Sequence, residues 1–114
     1  MIARTWHGAT PKSMADEYLR YLQETGVKGC RATEGNRGVF VLRRIESEQA
    51  HFLFVSLWDS LESIRKFAGP EPEKAVYFPE DDAFLLAREP NVLHYEVLVS
   101  PDPAADTGAD RRET

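Results

Sequence analysis

The chain has 114 residues, 19 of them acidic and 14 basic, and its formal net charge is −5. This length supports one hydrophobic core, so we expect one domain. The acidic balance argues against a nucleic-acid partner, because such partners are bound by basic surfaces. Cys30 is the only cysteine, which leaves no internal disulfide and no cysteine-based metal site.

No apolar stretch of the chain approaches the roughly 18 consecutive residues that a membrane span needs. The first residues also lack the basic and apolar regions of a secretory signal. We therefore expect a soluble, cytoplasmic protein without a membrane partner.

The first third of the chain predicts a strand followed by an amphipathic helix. Residues 2–8 mix β-branched, aromatic and polar side chains, as strands do. Thr10 and Pro11 then have the form of a helix N-cap and a first helical residue. The helix should end at Gly26. Its buried side is predicted from apolar residues at helical spacing, namely Met14, Ala15, Tyr18, Leu19 and Leu22.

A hairpin is predicted next. Residues 34–38 should form a turn or bulge, and residues 39–44 a second strand. The polar stretch 46–49 has the length of a hairpin loop. The third strand, at residues 51–57, delivers Trp58 to the start of a second helix.

The second helix should begin at Asp59, which has the spacing of an N-cap with Glu62. Its buried stripe should end before Gly69 and Pro70. Two further helical turns are predicted at 73–78 and 82–86, and a last strand at 92–99.

This order of elements is the split βαβ pattern of an α+β, ferredoxin-like fold with a four-stranded antiparallel sheet. Residues 1–99 should form the domain, and the polar residues 100–114 a disordered tail. Apolar side chains occupy both parities of the third strand, so both faces of the sheet look buried. One set of helices covers only one face, and we expect the other face to pack on a second copy in a homodimer.

The junction from Trp58 to Glu62, the βαββαβ order and the closing segment 94–97 resemble the antibiotic biosynthesis monooxygenase family of dimeric α/β barrels. The resemblance covers about residues 1–99. It implies a pocket between the sheet and the helices of each subunit. It also implies an activity from a group that includes cofactor-free oxygenation of aromatic polyketides and haem degradation.

The residues argue against haem degradation. As we align them, haem-degrading members have a tryptophan nine residues after the junction tryptophan and a haem-ligating histidine ten residues later, where this chain has Phe67 and Tyr77. The asparagine that those members use on strand 1 is also missing. Of the residues in cofactor-free, quinone-forming members, only Trp58 is matched cleanly, since Phe54 and Ile64 replace an asparagine and a tyrosine. We therefore expect no cofactor.

Three histidines are candidates for chemistry. In a sheet of spatial order 4-1-3-2, the end of strand 1 lies beside the starts of strands 3 and 4, which brings His7, His51 and His94 toward one edge. They could form a three-histidine metal site, or one could be a general base. Alternatively they point to different faces, because the register of the strands is not known from the sequence.

Two arginines, Arg4 and Arg43, are placed in strands that otherwise look buried, where a charge is costly unless it is paired or binds an anion. Either could hold a carboxylate or enolate oxygen of a ligand, or form a structural ion pair, for example with Glu96. The acidic run 80–82 could bind a hard cation or could be a solvated helix start.

Two functions follow from these residues and from the resemblance. The first is a cofactor-independent monooxygenase acting on a small aromatic or polyketide-like substrate, with His7 or His94 as base and Arg4 or Arg43 as oxyanion partner. The pocket walls would be Trp6, Trp58, Phe67 and Tyr77. The alternative is a non-catalytic dimer that binds a small hydrophobic or aromatic ligand or serves a stress response. In that case Trp58 is a core residue and Tyr77 a lid over the core edge.

Overall fold

Four strands form one antiparallel sheet in the computed structural model, which describes residues 1–86 and 89–102. The strands are β1 (Ile2–Pro11), β2 (Asn36–Glu46), β3 (Gln49–Trp58) and β4 (Leu93–Glu96). Their spatial order is β2-β3-β1-β4. This is the predicted ferredoxin-like order, with β1 and β3 in the centre.

Helices cover one face of this sheet, so the fold is α+β as predicted. After β1, the 3-10 turn Lys12–Met14 leads into α1 (Ala15–Leu22), which continues through a π-helical segment (Gln23–Val27) into α2 (Lys28–Arg31). Two more helices are α3 (Leu61–Ala68), which follows β3, and the one-turn α4 (Asp81–Phe84). In the described part of the chain, no helix is long and apolar enough to cross a membrane.

β1 is longer than predicted, and the predicted helix cap at Thr10 is wrong. β1 pairs with β3 over its whole length, to Pro11 opposite Gln49, and the Lys12 amide donates to the Glu48 carbonyl. Because Thr10 is still in the strand, its hydroxyl donates to the Pro11 carbonyl instead of capping a helix.

Gly26 does not end the first helix, contrary to the prediction. It is buried within the π-helical segment, and the helical path continues to Arg31. A Cβ at Gly26 would lie 3.1 Å from Cε2 of Phe54. Glycine is therefore used here for the close approach of helix and sheet.

The helix after β3 begins one residue later than predicted. Ser60 is the N-cap of α3, and its Oγ accepts a hydrogen bond from the Ser63 amide. Asp59, the predicted cap, instead pairs with Arg37 at 2.8 Å on the surface. The predicted stop is confirmed, since Gly69 follows the helix with a positive φ of 90°.

The connection between α3 and β4 is less helical than predicted. Residues 73–78 form no helix, because Lys74 pairs with Asn91 in an isolated antiparallel bridge and the Ala75 amide donates to the Pro90 carbonyl. β4 covers Leu93–Glu96 only, not the predicted 92–99. Most of the predicted tail, residues 103–114, lies outside the described residues.

The two faces of the sheet differ in their cover. The helix side holds a buried core that includes Tyr18, Phe52, Trp58 and Ile64. Along each strand, side chains point alternately to this face and to the other face, here called the open face. It carries apolar side chains with large exposed fractions: Phe40 51%, Leu42 49%, Leu93 61% and Tyr95 53%. This patterning agrees with the apolar residues predicted at both parities.

Removing the observed cap should weaken the fold more than removing the predicted one. Ser60→Ala deletes an N-cap oxygen, which costs about 1 kcal/mol of the free energy of unfolding. Asp59→Ala deletes an exposed ion pair and should cost less than about 0.5 kcal/mol. Urea denaturation of both variants measures the difference, and an equal loss in the two would contradict the assignment of Ser60 as the cap.

Candidate functional site

A pocket lies between the helix side of the sheet and the helices, at the position that the resemblance implies. Its enclosed volume is about 40 Å³, which is room for a few water molecules. β1, β3, the first helix, α3 and the connection to β4 all contribute to its walls. Most of these walls are apolar, and the polar and aromatic side chains among them include Arg4, Trp6, Tyr18, Phe67, Tyr77 and Asp81.

Arg4 places a positive charge in the pocket wall. Only 6% of the residue is exposed. Its Nη2 donates to the carbonyl of Lys74 at 2.7 Å and, more weakly, to that of Pro72 at 3.5 Å. Its Cζ lies 5.8 Å from the centroid of the Phe67 ring, close enough for a cation–π contact.

The charge of Arg4 has no acidic partner among the described residues, and its Nε is buried without a hydrogen-bond partner. The ion pair with Glu96 that the sequence suggested is not formed: the Arg4 guanidinium donates instead to the carbonyls of Lys74 and Pro72. Burial lowers the pKa of Arg4, but a guanidinium stays charged at neutral pH. The nearby thiol of Cys30 cannot balance it, because burial raises the pKa of Cys30 to about 12.

His94 lies beside Arg4. The two residues are directly opposite each other in the β1–β4 ladder, so their side chains leave the same face of the sheet. The Nε2 atom of His94 is buried and has no hydrogen-bond partner in the described chain. The pKa of His94 is lowered, first by burial and then by the charge of Arg4, while Glu73 opposes the shift. The imidazole is therefore held in its neutral form.

Trp6 and Tyr77 close the pocket against each other. The indole Nε1 of Trp6 donates to the Tyr77 hydroxyl at 3.0 Å, and the two rings meet edge to face with centroids 6.1 Å apart. The Tyr77 hydroxyl in turn donates to the carbonyl of Glu89. Tyr77 thus covers the core edge from the connection between α3 and β4.

Tyr18 and Asp81 form a second polar pair in the pocket, which the sequence did not indicate. The Tyr18 hydroxyl donates to Asp81 Oδ1 at 3.3 Å, and the Phe78 amide donates to Oδ2 at 2.6 Å. Burial, and then the charge of Asp81, raise the pKa of Tyr18. Helical spacing predicted that Tyr18 is buried, but Asp81 belongs to the acidic run that suggested a solvated helix start. The helix start is confirmed, since α4 begins at Asp81 and both Glu80 and Asp82 are exposed. Asp81 itself is not solvated, because only 4% of it is exposed.

The three histidines do not meet. On the open face, His7 Nε2 lies 3.0 Å from His51 Nδ1, and His7 Nδ1 lies 3.2 Å from Glu89 Oε2. His94 lies opposite Arg4 in the β1–β4 ladder, so its side chain leaves the helix side of the sheet together with that of Arg4. Among the described residues, no group of three or more His, Cys, Asp or Glu side chains could hold a metal ion. The three-histidine alternative is therefore corrected to a pair of histidines and one separate histidine.

Of the four other candidate site residues from the sequence, one lines the pocket and three lie outside it. His7 lies outside the pocket, and a shallower groove of about 290 Å³ runs past it on the open face. Arg43 pairs with Asp16 of α1 at 2.9 Å and is partly exposed. Trp58 is fully buried behind the pocket, and its Nε1 donates to Ser56 Oγ at 2.8 Å. Only Phe67, which packs 5.9 Å from Trp58 between ring centroids, lines the pocket itself.

Comparisons with known proteins support the fold. No family model matches the chain, and no curated protein matches it in sequence. Two solved structures resemble it at a TM-score of 0.55. One is a mutant of MhuD with two manganese protoporphyrin IX molecules bound per active site, at 18% identity over 90% of this chain and 99% of that one. The other is Rv0793 from Mycobacterium tuberculosis, at 15% identity over 89% of this chain and 98% of that one.

These likenesses define a class of fold. The chain has a ferredoxin-like α+β fold, which it shares with the two neighbours. At these identities the likeness extends to the fold alone, and the chemistry of the pocket has to be argued from the residues of this chain.

The lowered pKa of His94 should make stability depend on pH. Because the folded pKa lies below the unfolded value of about 6.5, the unfolded chain binds more protons as the pH falls through that value. The free energy of unfolding should therefore decrease from pH 7 to pH 5. His94→Gln removes this contribution, so its profile should be flatter than the wild-type profile. Chemical denaturation at a series of pH values tests this, and superimposable profiles would contradict it.

Proposed function

We propose that this protein is a small-molecule enzyme of the cofactor-independent monooxygenase type, which binds a small aromatic or polyketide-like substrate in the pocket between sheet and helices. The observation that carries the proposal is the buried guanidinium of Arg4, which has no acidic partner among the described residues and lies in a wall of aromatic side chains. A buried charge without a partner is costly. An anionic substrate oxygen would offset that cost.

The residues of the pocket suit a mechanism that starts with ionisation of the substrate. His94 does not line the pocket itself, but it lies next to Arg4 on the same face of the sheet. It is neutral, and its Nε2 has no partner among the described residues, so it would accept the hydroxyl proton of a substrate that reaches past Arg4. Arg4 would offset the negative charge that results. The apolar walls would exclude water from the ionised ring.

The later steps need no external reductant. Dioxygen would add to a ring-activated CH₂ carbon of the ionised substrate. One oxygen atom would remain as a new carbonyl and the other would leave as water, with the four electrons supplied by that carbon. Of the four catalytic candidates from the sequence, this mechanism uses Arg4 and His94 and leaves His7 and Arg43 with structural roles.

A ligand would have to displace part of the pocket lining. The enclosed volume of about 40 Å³ is far below the roughly 300 Å³ of typical ligand pockets. The contact between Trp6 and Tyr77 is the boundary that would open, since it consists of one hydrogen bond and one ring edge.

The alternative function is a non-catalytic dimer that binds a small ligand or serves a stress response. The same small volume favours it, because the aromatic side chains of the chain nearly fill the pocket. Ligand binding without oxygen consumption would support this alternative over the enzyme.

Haem does not fit this pocket. None of the described residues that line the pocket is a histidine, and the hydroxyl of Tyr77 already contacts Trp6 and Glu89. His7 and His51 lie on the opposite face of the sheet, so the pocket offers no available axial ligand for haem iron.

The open face supports a homodimer. Exposed apolar side chains from three strands are spread across it, including Leu42, Leu53 and Leu93. Large exposed apolar surfaces on soluble proteins mark interaction sites. A second copy of the chain would bury the same face on both partners.

Oxygen uptake should depend on Arg4 and His94. With an anthrone-type phenol as substrate, Arg4→Gln and His94→Gln should each lower kcat/KM about 100-fold or more, since they remove the oxyanion partner and the base. Arg43→Gln is the matched control and should keep the wild-type rate. Uptake by the wild type at the rate of the uncatalysed reaction would refute the enzyme, and full activity in either pocket variant would remove that residue's role.

A charge on the open face should dissociate the dimer. Leu42→Lys would bury an unpaired ammonium in the interface, and sedimentation velocity at micromolar concentration should show a shift from dimer to monomer. Leu61→Lys changes a comparably exposed leucine on α3 and should leave the dimer intact. A monomeric wild-type chain would contradict the proposal.

A further inference from the structure

Two residues that face each other in the sheet each have a buried side-chain nitrogen without a partner among the described residues. Among the described residues, Arg4 Nε and His94 Nε2 are the only buried side-chain nitrogen or oxygen atoms that make no hydrogen bond. The two residues face each other in the ladder, which places their Cβ atoms about 5 Å apart. Buried polar atoms in folded proteins nearly always have partners. Two adjacent exceptions indicate a ligand that brings two polar groups.

The two nitrogens require different chemical groups on the ligand. Arg4 is permanently charged and has no acidic partner in the described chain, so its ligand group should be ionised at neutral pH. A carboxylate meets this condition, whereas a phenol, with a pKa near 10, does not. A phosphate would bring a second negative charge against this one cation. A carboxylate also matches the flat edge of a guanidinium.

His94 suits a hydroxyl group. Its lowered pKa keeps the ring neutral. In the tautomer that carries its proton on Nδ1, Nε2 is an acceptor. A hydroxyl next to the carboxylate would donate to this atom and satisfy it.

We propose that the site takes an aromatic carboxylate with a hydroxyl at the neighbouring ring position, its carboxylate on Arg4 Nε and its hydroxyl on His94 Nε2. The inference rests on the proposed function in that the ring would enter the sheet–helix pocket, which Arg4 lines. His94 lies beside Arg4 outside the pocket lining, and both nitrogens are buried, so the side chains around them would have to move to admit the ligand. It narrows the substrate class from small aromatics in general to ortho-hydroxylated aromatic acids.

This arrangement also balances the charges during ionisation. When the hydroxyl O–H bond breaks, the proton forms an N–H bond at His94 Nε2 and the electron pair stays on the phenolic oxygen. The ligand then has two negative charges, which face the guanidinium and the new imidazolium. His94 is thus the base of the proposed reaction, and Arg4 fixes the ring so that the hydroxyl meets that base.

A series of ligands tests the inference on the unaltered protein. Salicylate, benzoate, phenol and 4-hydroxybenzoate are titrated under anaerobic conditions, with isothermal calorimetry as readout. Salicylate should bind at least 10-fold more tightly than each of the other three, because only salicylate satisfies both nitrogens. Equal affinities across the series, or no binding of salicylate, would overturn the inference.

Variants then assign the two contacts. Arg4→Gln should abolish the preference for salicylate over phenol, and His94→Gln should make salicylate and benzoate bind equally. Arg43→Gln, which changes an arginine outside the pocket, should keep the wild-type series. If Arg4→Gln does not fold, Arg4→Lys retains the charge but lacks Nε, and it should weaken salicylate about 10-fold. Unchanged affinity in the folded variants would overturn the assignment.

The outcomes separate this inference from the proposed function. Salicylate preference without oxygen uptake on any substrate would keep the binding site and reject the monooxygenase. Oxygen uptake on a phenol, with no preference for a carboxylate in the ligand series, would keep the enzyme and reject the carboxylate contact.

Discussion

The ten-residue ladder between β1 and β3 is the constraint on which the rest of the structure depends. It runs in unbroken register from Ile2 opposite Trp58 to Pro11 opposite Gln49. Because side chains alternate between faces along a strand, this register sends Arg4 and Trp6 into the pocket and His7 to the open face. A shift of one residue would exchange these sets. The register therefore decides which polar side chains can take part in chemistry.

The short pairing of β4 adds the second half of the site. β4 covers only residues 2–5 of β1, which is enough to bring His94 opposite Arg4. Beyond that point the edge of β1 is met by the irregular connection, where the Leu86 amide donates to the Ala9 carbonyl. The same connection supplies the carbonyls that hold the Arg4 guanidinium. Within the described residues, the cation is thus fixed by backbone oxygens and by the face of Phe67, and not by a carboxylate that would neutralise it.

Glu89 links the two faces of the sheet. Its backbone carbonyl accepts the hydrogen bond of Tyr77, which closes the pocket. Its carboxylate contacts His7 on the open face. Trp6 and His7 are neighbours in β1, so one strand step connects the pocket wall with the surface that we assign to the dimer. Exposed polar contacts of this kind add little to the free energy of unfolding. Glu89 therefore connects the two faces in space and contributes little to stability.

The sequence by itself determined the order of elements, the ferredoxin-like topology and the apolar character of both sheet faces. These depend on local periodicity and on turn residues, as the helix stop at Gly69 illustrates. Local signals failed where tertiary contacts competed with them: pairing with β3 kept Thr10 in a strand, and packing against Phe54 explains Gly26 better than a helix stop does. The sequence predicted Asp59 as the cap of α3, but Asp59 pairs with Arg37 and the next residue, Ser60, is the cap.

Only the tertiary structure decided the site. The sequence offered three histidines and two arginines, and it could not tell which of them share a face, because that depends on register between strands distant in the chain. Nor could it show that Arg4 has no acidic partner in the described part of the chain, since partners are defined by contacts across the whole fold. The burial of Asp81 against Tyr18 was hidden for the same reason. Periodicity specifies which side of an element is buried, but the meeting of particular polar atoms is a property of the assembled fold.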